Sequence, residues 1–412
     1  MRYPFIGLSL GMSFRSAVKD YKDTLNEYTS SLFSLSISVA VVFSIIILGL
    51  SKVIDMKMST VMIFCCIVQS YMQYVLNAIC VKYMMEIKYI ERSLLLSLPN
   101  LLTAIISIVM IHFLQSKKYW GRIIPYVFIY TIFSIPILLH YFWKGRTFYN
   151  WGYWKYALSY SLPLVFHSLS VVILSSSDRI MISNMRNSSE VGIYSLVYNL
   201  SMAVTVIQST LEAIWIPWFT KHMLNNEKVI VNRIVKYYIE VVSILVGGLL
   251  MVAPEIIKLI SPSTYWDGIK LSIPIILASF IIFLYSISVD LEYYYKSTKF
   301  IAVNTAISAF INLVLNYIFI PKYGAEAAAY ATVVSYLVSF ILHYYRARKI
   351  DNELFPISKY IPSIIFVVGV SSISYIFINV CLVRYMFAAI IGIGYLLIVL
   401  VTDRRKILNY EK

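Results

Sequence analysis

IIPYVFIYTIFSIPILLHYF, residues 123–142, is twenty residues long and contains no Asp, Glu, Lys or Arg. About 20 apolar residues in a helix cover the hydrocarbon core of a bilayer. Because backbone groups in lipid are satisfied only in helices or closed barrels, and period-two alternation is absent, the stretch predicts a transmembrane helix. Comparable stretches predict twelve spans in an all-α, polytopic membrane helix bundle: 30–50, 60–81, 93–114, 123–142, 158–177, 192–214, 237–253, 271–291, 300–320, 327–345, 361–380 and 384–401.

Basic residues are unevenly divided between the gaps that separate these stretches. Alternate gaps, including 15–29, 82–92 and the C-terminus, hold about twice as many Lys and Arg as the others, so the positive-inside rule places them in the cytoplasm. The gap that contains Lys117, Lys118 and Arg122 is an exception, because it is basic but is placed on the outer side. No Lys or Arg is predicted to lie deep in a span. The net charge of +15 therefore indicates topology and anionic headgroups rather than nucleic acid.

The start of the chain and its internal order predict two pseudo-symmetric halves. Residues 4–14 are apolar but too short to span a bilayer, and we expect them to be the tail of a span whose beginning is missing. Residues 9–45 and 210–246 form a weak internal repeat. The predicted divisions are a first transmembrane half at 1–157, a second half at 158–346, and two extra spans with a cytoplasmic tail at 347–412.

Motifs for soluble catalysis are absent from the sequence. The four cysteines, Cys65, Cys66, Cys80 and Cys381, show no CxxC spacing, which argues against a structural disulfide or a metal site. P-loop, HExxH and GxSxG motifs do not occur. We therefore expect no cofactor and no metal, and we predict that the chain is not an enzyme.

Two segments carry a recognisable pattern. In the first, Ser161-Leu162-Pro163 opens a span that ends in Ser177-Asp178-Arg179-Ile180, and Val191-Gly192-Ile193-Tyr194-Ser195 begins the next span. The second is Asn312-Leu313-Val314-Leu315-Asn316-Tyr317, followed by Ile320-Pro321-Lys322-Tyr323-Gly324-Ala325-Glu326-Ala327-Ala328. With the order of spans, these segments resemble Wzx-type oligosaccharide flippases of the multidrug/oligosaccharidyl-lipid/polysaccharide exporter superfamily. The twelve spans are similar to spans three to fourteen of a fourteen-span member.

The resemblance implies a function at the bacterial cytoplasmic (inner) membrane. It implies translocation of polyprenyl-diphosphate-linked oligosaccharide repeat units from the inner to the outer leaflet, for O-antigen, capsule or related polysaccharides, by alternating access. Implied partners are the lipid-linked oligosaccharide, membrane lipids, a polysaccharide polymerase and a chain-length regulator. Two alternatives stay open: a cation-coupled drug antiporter of the same superfamily, which needs a carboxylate in its cavity, and an integral-membrane glycan polymerase, which needs sizeable outer loops.

Three acidic residues are predicted to lie in or at the edge of spans: Glu212, Glu240 and Asp290. An ionised group in hydrocarbon is costly and is usually functional. They are either solvated or paired with neighbouring lysines at the interface, or they form a cation-coupled gate, for which Glu212 is the best candidate.

Other polar residues are candidates for a substrate cavity or gate. Asp178 and Arg179 are either a local ion pair or part of an outer gate. His167 lies mid-span and either packs with a hydrogen bond or serves as a cavity donor. Arg15 is either a plain positive-inside arginine or a ligand for the diphosphate.

Amide side chains repeat at helical spacing and form polar stripes. Gln69, Gln73 and Asn77 share one helix face, for which we favour bonding to neighbouring helices. Asn304, Ser308, Asn312 and Asn316 share another, which either bonds helices or lines a wet cavity. Asn199 and Gln208 are further cavity candidates in the span 192–214.

Overall fold

The computed structural model describes residues 9–53 and 59–410 of the chain. Within these residues the secondary structure is helical, with no strand. A 3-10 turn at Leu10–Ser13 precedes the first helix. The helices are α1 (Phe14–Asp20), α2 (Leu25–Val53), α3 (Thr60–Met85), α4 (Tyr89–Phe113), α5 (Trp120–Gly145), α6 (Trp151–Met185), α7 (Ser188–Leu224), α8 (Lys228–Ile260), α9 (Ile269–Tyr294), α10 (Thr298–Ile350), α11 (Ile361–Ile376) and α12 (Cys381–Tyr410).

The helices agree with the predicted all-α membrane bundle. In the described part of the chain, nine helices are long and apolar enough to cross a membrane. One of them, α10, is 53 residues long and is broken at Gly324, so it contains two of the predicted spans. The last two predicted spans correspond to shorter apolar helices at Ile361–Ile376 and Cys381–Tyr395. The protein is therefore a multi-pass membrane protein. The part of the apolar N-terminal stretch before Ser9 lies outside the described residues.

The chain divides into two compact units. Unit 1 contains the chain up to Leu169 together with Tyr293–Ala302. Unit 2 contains Ser170–Glu292 and the chain from Val303 onward. Helix α6 therefore contributes its first part to unit 1 and its last part to unit 2. The predicted division at 157 and 158 falls inside α6, and the division into pseudo-symmetric halves stays a prediction.

In unit 1, α5 is the central packing helix. It contacts α2, α3 and α4, and α1 packs on α3. The apolar core is formed by side chains from the first turn, α1, α2, α3, the end of α5 and the start of α6. Gly11 lies so close to α3 that a Cβ atom there would be 2.6 Å from the Cβ of Ala78. Small residues at this contact let the N-terminal turn seat directly on α3.

In unit 2, α8 is the long helix against which α7, α11 and α12 pack. A separate core joins the end of α6, the start of α7, the start of α9 and the middle of α10. Ile182, Tyr194, Val197, Ala328 and Ala329 are among its fully buried members. These apolar contacts surround the polar network described below.

The break in α10 has an identifiable cause. Gly324 has φ 59° and ψ −140°, a backbone conformation that other residues rarely adopt. The helix that restarts after it is capped by Glu190, whose Oε2 accepts a hydrogen bond from the Ala325 backbone N–H at 3.2 Å. Glu190 also pairs with Arg186 at 3.1 Å. The first turn of α7 therefore holds the kink of α10 in place.

Two basic residues that the sequence places in or beside the gaps are buried by neighbouring side chains, near the ends of their helices. Lys82 is 2% exposed because α3 continues beyond the apolar stretch. Its Nζ donates to Tyr141 Oη at 3.0 Å. Arg384 is fully buried and pairs with Glu255. Each cation is buried with a polar or acidic partner, as buried charges require.

Candidate functional site

A cavity of about 710 Å³ lies inside unit 1. It is enclosed by the N-terminal turn, the middle of α3, the first half of α4, α5, the middle of α6 and the end of α9. The residues that line it are Ser9, Met12, Gln73, Leu76, Asn77, Leu95, Leu96, Asn100, Tyr130, Leu164, His167, Ser168 and Tyr293. Its volume is within the roughly 300–1,000 Å³ of ligand-binding pockets. More than half of its lining residues carry a polar atom in the side chain.

The amides of α3 face this cavity, which contradicts the helix-bonding interpretation of the 69–77 stripe. Asn77 is exposed to the cavity and Gln73 is half-buried in its wall. Neither amide hydrogen-bonds to another side chain in the described part of the chain. Both therefore keep donors and acceptors for a ligand.

The opposite wall holds a preorganised amide and hydroxyl pair. Tyr130 Oη donates to Asn100 Oδ1 at 3.0 Å, and Asn100 Nδ2 donates to the Leu96 carbonyl at 2.6 Å. The ring of Tyr126 stacks on that of Tyr130 with centroids 4.5 Å apart. These contacts fix the orientation of Asn100 towards the cavity.

His167 lies in the wall of the same cavity, at the middle of the predicted span 158–177. The lining contains no Asp or Glu among the described residues. The cavity is thus rich in neutral donors and acceptors and has no carboxylate.

Arg15 lies next to the cavity rather than in its lining. Its guanidinium is 4.4 Å from the centre of the Tyr293 ring, and Tyr293 lines the cavity. Lys19 lies 4.7 Å from the ring of Tyr294, and Lys296 pairs with Asp20. One end of unit 1 therefore carries a layer of cations on aromatic rings.

Asp178, in unit 2, is the centre of a buried hydrogen-bond network. Its side chain is 1% exposed. Oδ2 accepts from Tyr194 Oη at 2.6 Å and from Thr332 Oγ1 at 3.0 Å, and Oδ1 accepts from Asn316 Nδ2 at 2.7 Å. Asn312 Oδ1 accepts from Asn316 Nδ2 at 3.1 Å. The carboxyl group joins the end of α6 to α7 and to both arms of α10.

The network has a definite chemical character. Its members are a carboxyl group, amides and hydroxyls, with no Lys, Arg or His hydrogen-bonded to Asp178 among the described residues. The hydrogen bonds to Asp178 therefore come from neutral donors.

Arg179 does not pair with Asp178, although the two are adjacent. Its Nη2 donates to the Ser175 carbonyl at 2.6 Å, and its guanidinium lies 4.6 Å from the ring centre of Tyr198. Adjacent residues on a helix point in different directions, so the local ion pair, one of the two alternatives, does not form.

The 304–316 stripe is buried against other helices rather than facing a cavity. Asn304 is 2% exposed, and Asn312 and Asn316 are fully buried. Asn312 also accepts a hydrogen bond from Ser177 Oγ at 3.2 Å. Of the two alternatives for Asn312 and Asn316, the structure shows bonding between helices.

The remaining candidates are spread over unit 2. Gln208 Nε2 donates to Glu212 Oε1 at 2.8 Å, one turn further along α7. Asn199 is exposed on α7. Glu240 is buried and pairs with Lys236 at 3.4 Å, which is the pairing alternative. Asp290 is buried on α9 and acts electrostatically on Tyr238 of α8, as does Glu212.

Sequence reasoning missed several residues that the structure brings to these sites. Asn100, Tyr130 and Tyr293 line the cavity, but nothing in their local sequence distinguishes them from interfacial residues. Glu292 and His343, near the ends of the predicted spans 271–291 and 327–345, are both fully buried.

The chain is similar to proteins of polysaccharide biosynthesis and to transporters. The sequence profile of a family described as polysaccharide biosynthesis protein matches residues 5–223. "Lsg locus putative protein 1" of Haemophilus influenzae is 24% identical over 202 residues, which are 48% of this chain and 50% of that protein. The chain thus spans about half the length of the curated relative that it matches.

Solved structures share the fold. A mutant of the MATE transporter VcmN from Vibrio cholerae gives a TM-score of 0.66 at 13% identity, over 84% of this chain and 86% of that one. The lipid II flippase MurJ, in an inward closed conformation, gives 0.56 at 15% identity, over 98% and 90%. These neighbours are a transporter and a flippase, and the likeness shows that the chain has the same fold.

Proposed function

Because the chain belongs to the family of polysaccharide biosynthesis proteins, we propose that it moves lipid-linked oligosaccharide repeat units from the inner to the outer leaflet of a membrane. The observation that carries this proposal is the cavity in unit 1, with its amide, hydroxyl and imidazole lining. Sugar hydroxyls both donate and accept hydrogen bonds, and Gln73, Asn77 and Asn100 offer both kinds of group. The cavity would hold the polar sugar while the lipid tail stays in the bilayer.

The substrate that we propose carries a diphosphate between sugar and polyprenyl chain. Arg15 is the candidate ligand for this group, because it lies over Tyr293 at the edge of the cavity. A guanidinium binds phosphate oxygens with two parallel hydrogen bonds. His167 and Ser168 would contact the sugar deeper in the cavity.

Transport of this kind implies alternating access of the cavity to the two leaflets. We propose that Glu212, with Glu240 and Asp290, couples this cycle to a cation gradient. A second set of residues is proposed to open and close the cavity, or to support the helices that do so: Asp178, Arg179, Asn199, Gln208, Asn304, Asn312 and Asn316. The proposed location is the bacterial cytoplasmic membrane with a cytoplasmic C-terminus, as the basic gaps favour. A polysaccharide polymerase and a chain-length regulator are the proposed protein partners.

The second candidate is a cation-coupled drug antiporter, which the similarity to a MATE transporter favours. A cationic drug needs a carboxylate in the binding cavity, because an unpaired cation is costly to bury. The lining of the unit 1 cavity has none among the described residues. The cavity therefore supports a neutral polar headgroup better than a cationic drug.

The proposal is tested by removing the two open amides of the cavity. Cells that carry Gln73→Leu and Asn77→Leu together should show about tenfold less surface polysaccharide, or lower still. Each hydrogen bond to the sugar that the two changes remove is worth about 0.5–1.5 kcal/mol. Gln69→Leu is the matched control, because Gln69 lies on the same stripe of α3 but outside the lining. Equal amounts of protein in the membrane are verified by immunoblot. Normal polysaccharide in the double variant would contradict the assignment of the cavity.

A further inference from the structure

Glu292 and His343 form a buried pair in unit 2, on α9 and α10. Both side chains are 0% exposed. His343 Nδ1 lies 3.1 Å from each carboxylate oxygen of Glu292. Because a carboxylate accepts hydrogen bonds, Nδ1 carries the hydrogen and is shared between the two oxygens. The pair is the acidic and basic contact most completely removed from solvent in the described part of the chain.

The second nitrogen of His343 is open. Nε2 has no hydrogen-bond partner among the described residues. In the neutral ring this atom is an acceptor, and it is the position at which a further proton binds. The ring is otherwise held by stacking on Tyr285, with centroids 5.4 Å apart and planes inclined by 18°. The site is thus fixed in orientation and keeps one nitrogen available to a proton.

The surroundings of the pair contain few charges. Arg346, on α10, acts electrostatically on Glu292. On α9, Tyr285 stacks on His343 and also on Tyr336 of α10. From α8, Tyr238 packs on Phe283 of α9, with Asp290 and Glu212 acting on it. From the segment after α10, Tyr360 packs on Phe340 and Tyr344.

We propose that Glu292 and His343 form a proton-binding site that controls the position of the segment following Glu292. One proton from water binds His343 Nε2, and the neutral ring becomes an imidazolium paired with the Glu292 carboxylate. The new N–H is then a buried donor without an acceptor, which is unfavourable until the helix ends move. Protonation therefore favours a different placement of the ends of α9 and α10.

The consequence reaches the cavity through the chain itself. Glu292 is the last residue of its stretch in unit 2, and the next residue, Tyr293, belongs to unit 1 and lines the cavity. A displacement of Glu292 is passed through one peptide bond to Tyr293, over which Arg15 lies. The role of the cavity in binding sugar rests on the proposed function, whereas the proton site does not.

The first measurement is the titration of His343 in the purified full-length protein. The chain has five histidines, so protein labelled with ¹³C at the imidazole Cε1 gives five signals, which single His→Gln variants assign. The His343 signal should change with pH, and Glu292→Gln should alter that change, because the Glu292 carboxylate contacts the ring nitrogen. A His343 signal that does not change with pH, or is unaffected by Glu292→Gln, would overturn the proposal.

The second measurement reports movement of the segment after Tyr293. The four native cysteines are replaced by alanine, and the exposed Lys299 is changed to Cys. The rate at which maleimide labels this cysteine is measured at each pH. It is divided by the labelling rate of a free thiol, which corrects for the ionisation of the thiol itself. The corrected rate should change by at least about threefold between about pH 5 and pH 8. His343→Gln and Glu292→Gln should each flatten this profile. His140→Gln, which alters an exposed histidine, should preserve it.

The two measurements separate this proposal from the proposed function. Neither needs a substrate, so a flat labelling profile in the parent protein, or a pH dependence that persists in both pair variants, overturns the proton site and leaves the flippase proposal standing. If one variant fails to fold, as judged by gel filtration, the other variant and the parent titration still decide the outcome.

Discussion

Tyr194→Phe is the perturbation that tests the buried Asp178 network most sharply. The change removes one hydroxyl, whose oxygen lies 2.6 Å from Asp178 Oδ2, and leaves the buried ring in place. Asp178 keeps its hydrogen bonds from Asn316 and Thr332. The variant therefore isolates a single hydrogen bond without creating a large cavity.

The magnitude depends on whether the Asp178 carboxyl is ionised. Hydrogen bonds between transmembrane helices average about 0.6 kcal/mol, whereas those to charged groups contribute about 1.5–3 kcal/mol. Because the three donors converge on Asp178 and the bond from Tyr194 is short, we expect the charged case and a loss of about 1.5–3 kcal/mol.

The assay is unfolding of the purified protein in detergent, followed by far-UV circular dichroism during heating. At roughly 2–4 °C per kcal/mol for units of about 200 residues, Tyr194→Phe should lower Tm by about 3–12 °C. Tyr198→Phe is the matched control, one turn along α7, where the ring lies beside Arg179, and should change Tm little. Equal Tm values for the two variants would refute an ionised Asp178 held by Tyr194.

Three further predictions concern the kink of α10 and the acidic residues. Gly324→Ala should lower stability by about 1–3 kcal/mol in the same heating assay, because φ 59° with ψ −140° is strained for alanine; an unchanged Tm would contradict this. Glu190→Ala should lower the free energy of unfolding by about 0.5–2 kcal/mol, since the hydrogen bond to the Ala325 N–H is lost. Glu190→Asp keeps the carboxylate on a shorter side chain and shows whether the length of the side chain matters. Glu212→Gln should be expressed normally and should abolish pH-driven transport after reconstitution in proteoliposomes. Transport at the parent rate would show that Glu212 is not part of the coupling.

The helices could be predicted from the sequence because hydropathy acts over a length set by the bilayer. Twenty apolar residues without a charge, as in 123–142, have few alternatives to a transmembrane helix. The sequence predicted two separate spans, 300–320 and 327–345, and α10 is broken between them at Gly324. Features of this kind depend on few long-range contacts.

The surroundings of each polar face could not be predicted in the same way. Helical spacing placed Gln73 with Asn77, and Asn312 with Asn316, on common faces, and the structure agrees. It did not reveal that the first face lines a cavity while the second bonds to Asp178. The neighbour of a helix face depends on how helices that are distant in the sequence pack together. Amide side chains are compatible both with a cavity and with hydrogen bonds between helices.

The ends of the helices explain the other differences. Lys82 and His343 lie near the ends of the apolar stretches 60–81 and 327–345. In the structure α3 continues to Met85 and α10 to Ile350, and neighbouring helices cover both side chains. Hydropathy measures the span across lipid, and it does not measure how far a helix extends beyond it.

The most direct test of the central proposal determines which leaflet holds the lipid-linked repeat units when the protein is depleted from its host. A glycosidase confined to the outside of intact cells is applied, and the lipid-linked units that survive are quantified. The flippase proposal predicts single repeat units that accumulate inside, protected from the enzyme, and are released when the cells are opened. Single units that accumulate outside and are cut by the enzyme would show that translocation is intact without this protein, and would contradict the proposal.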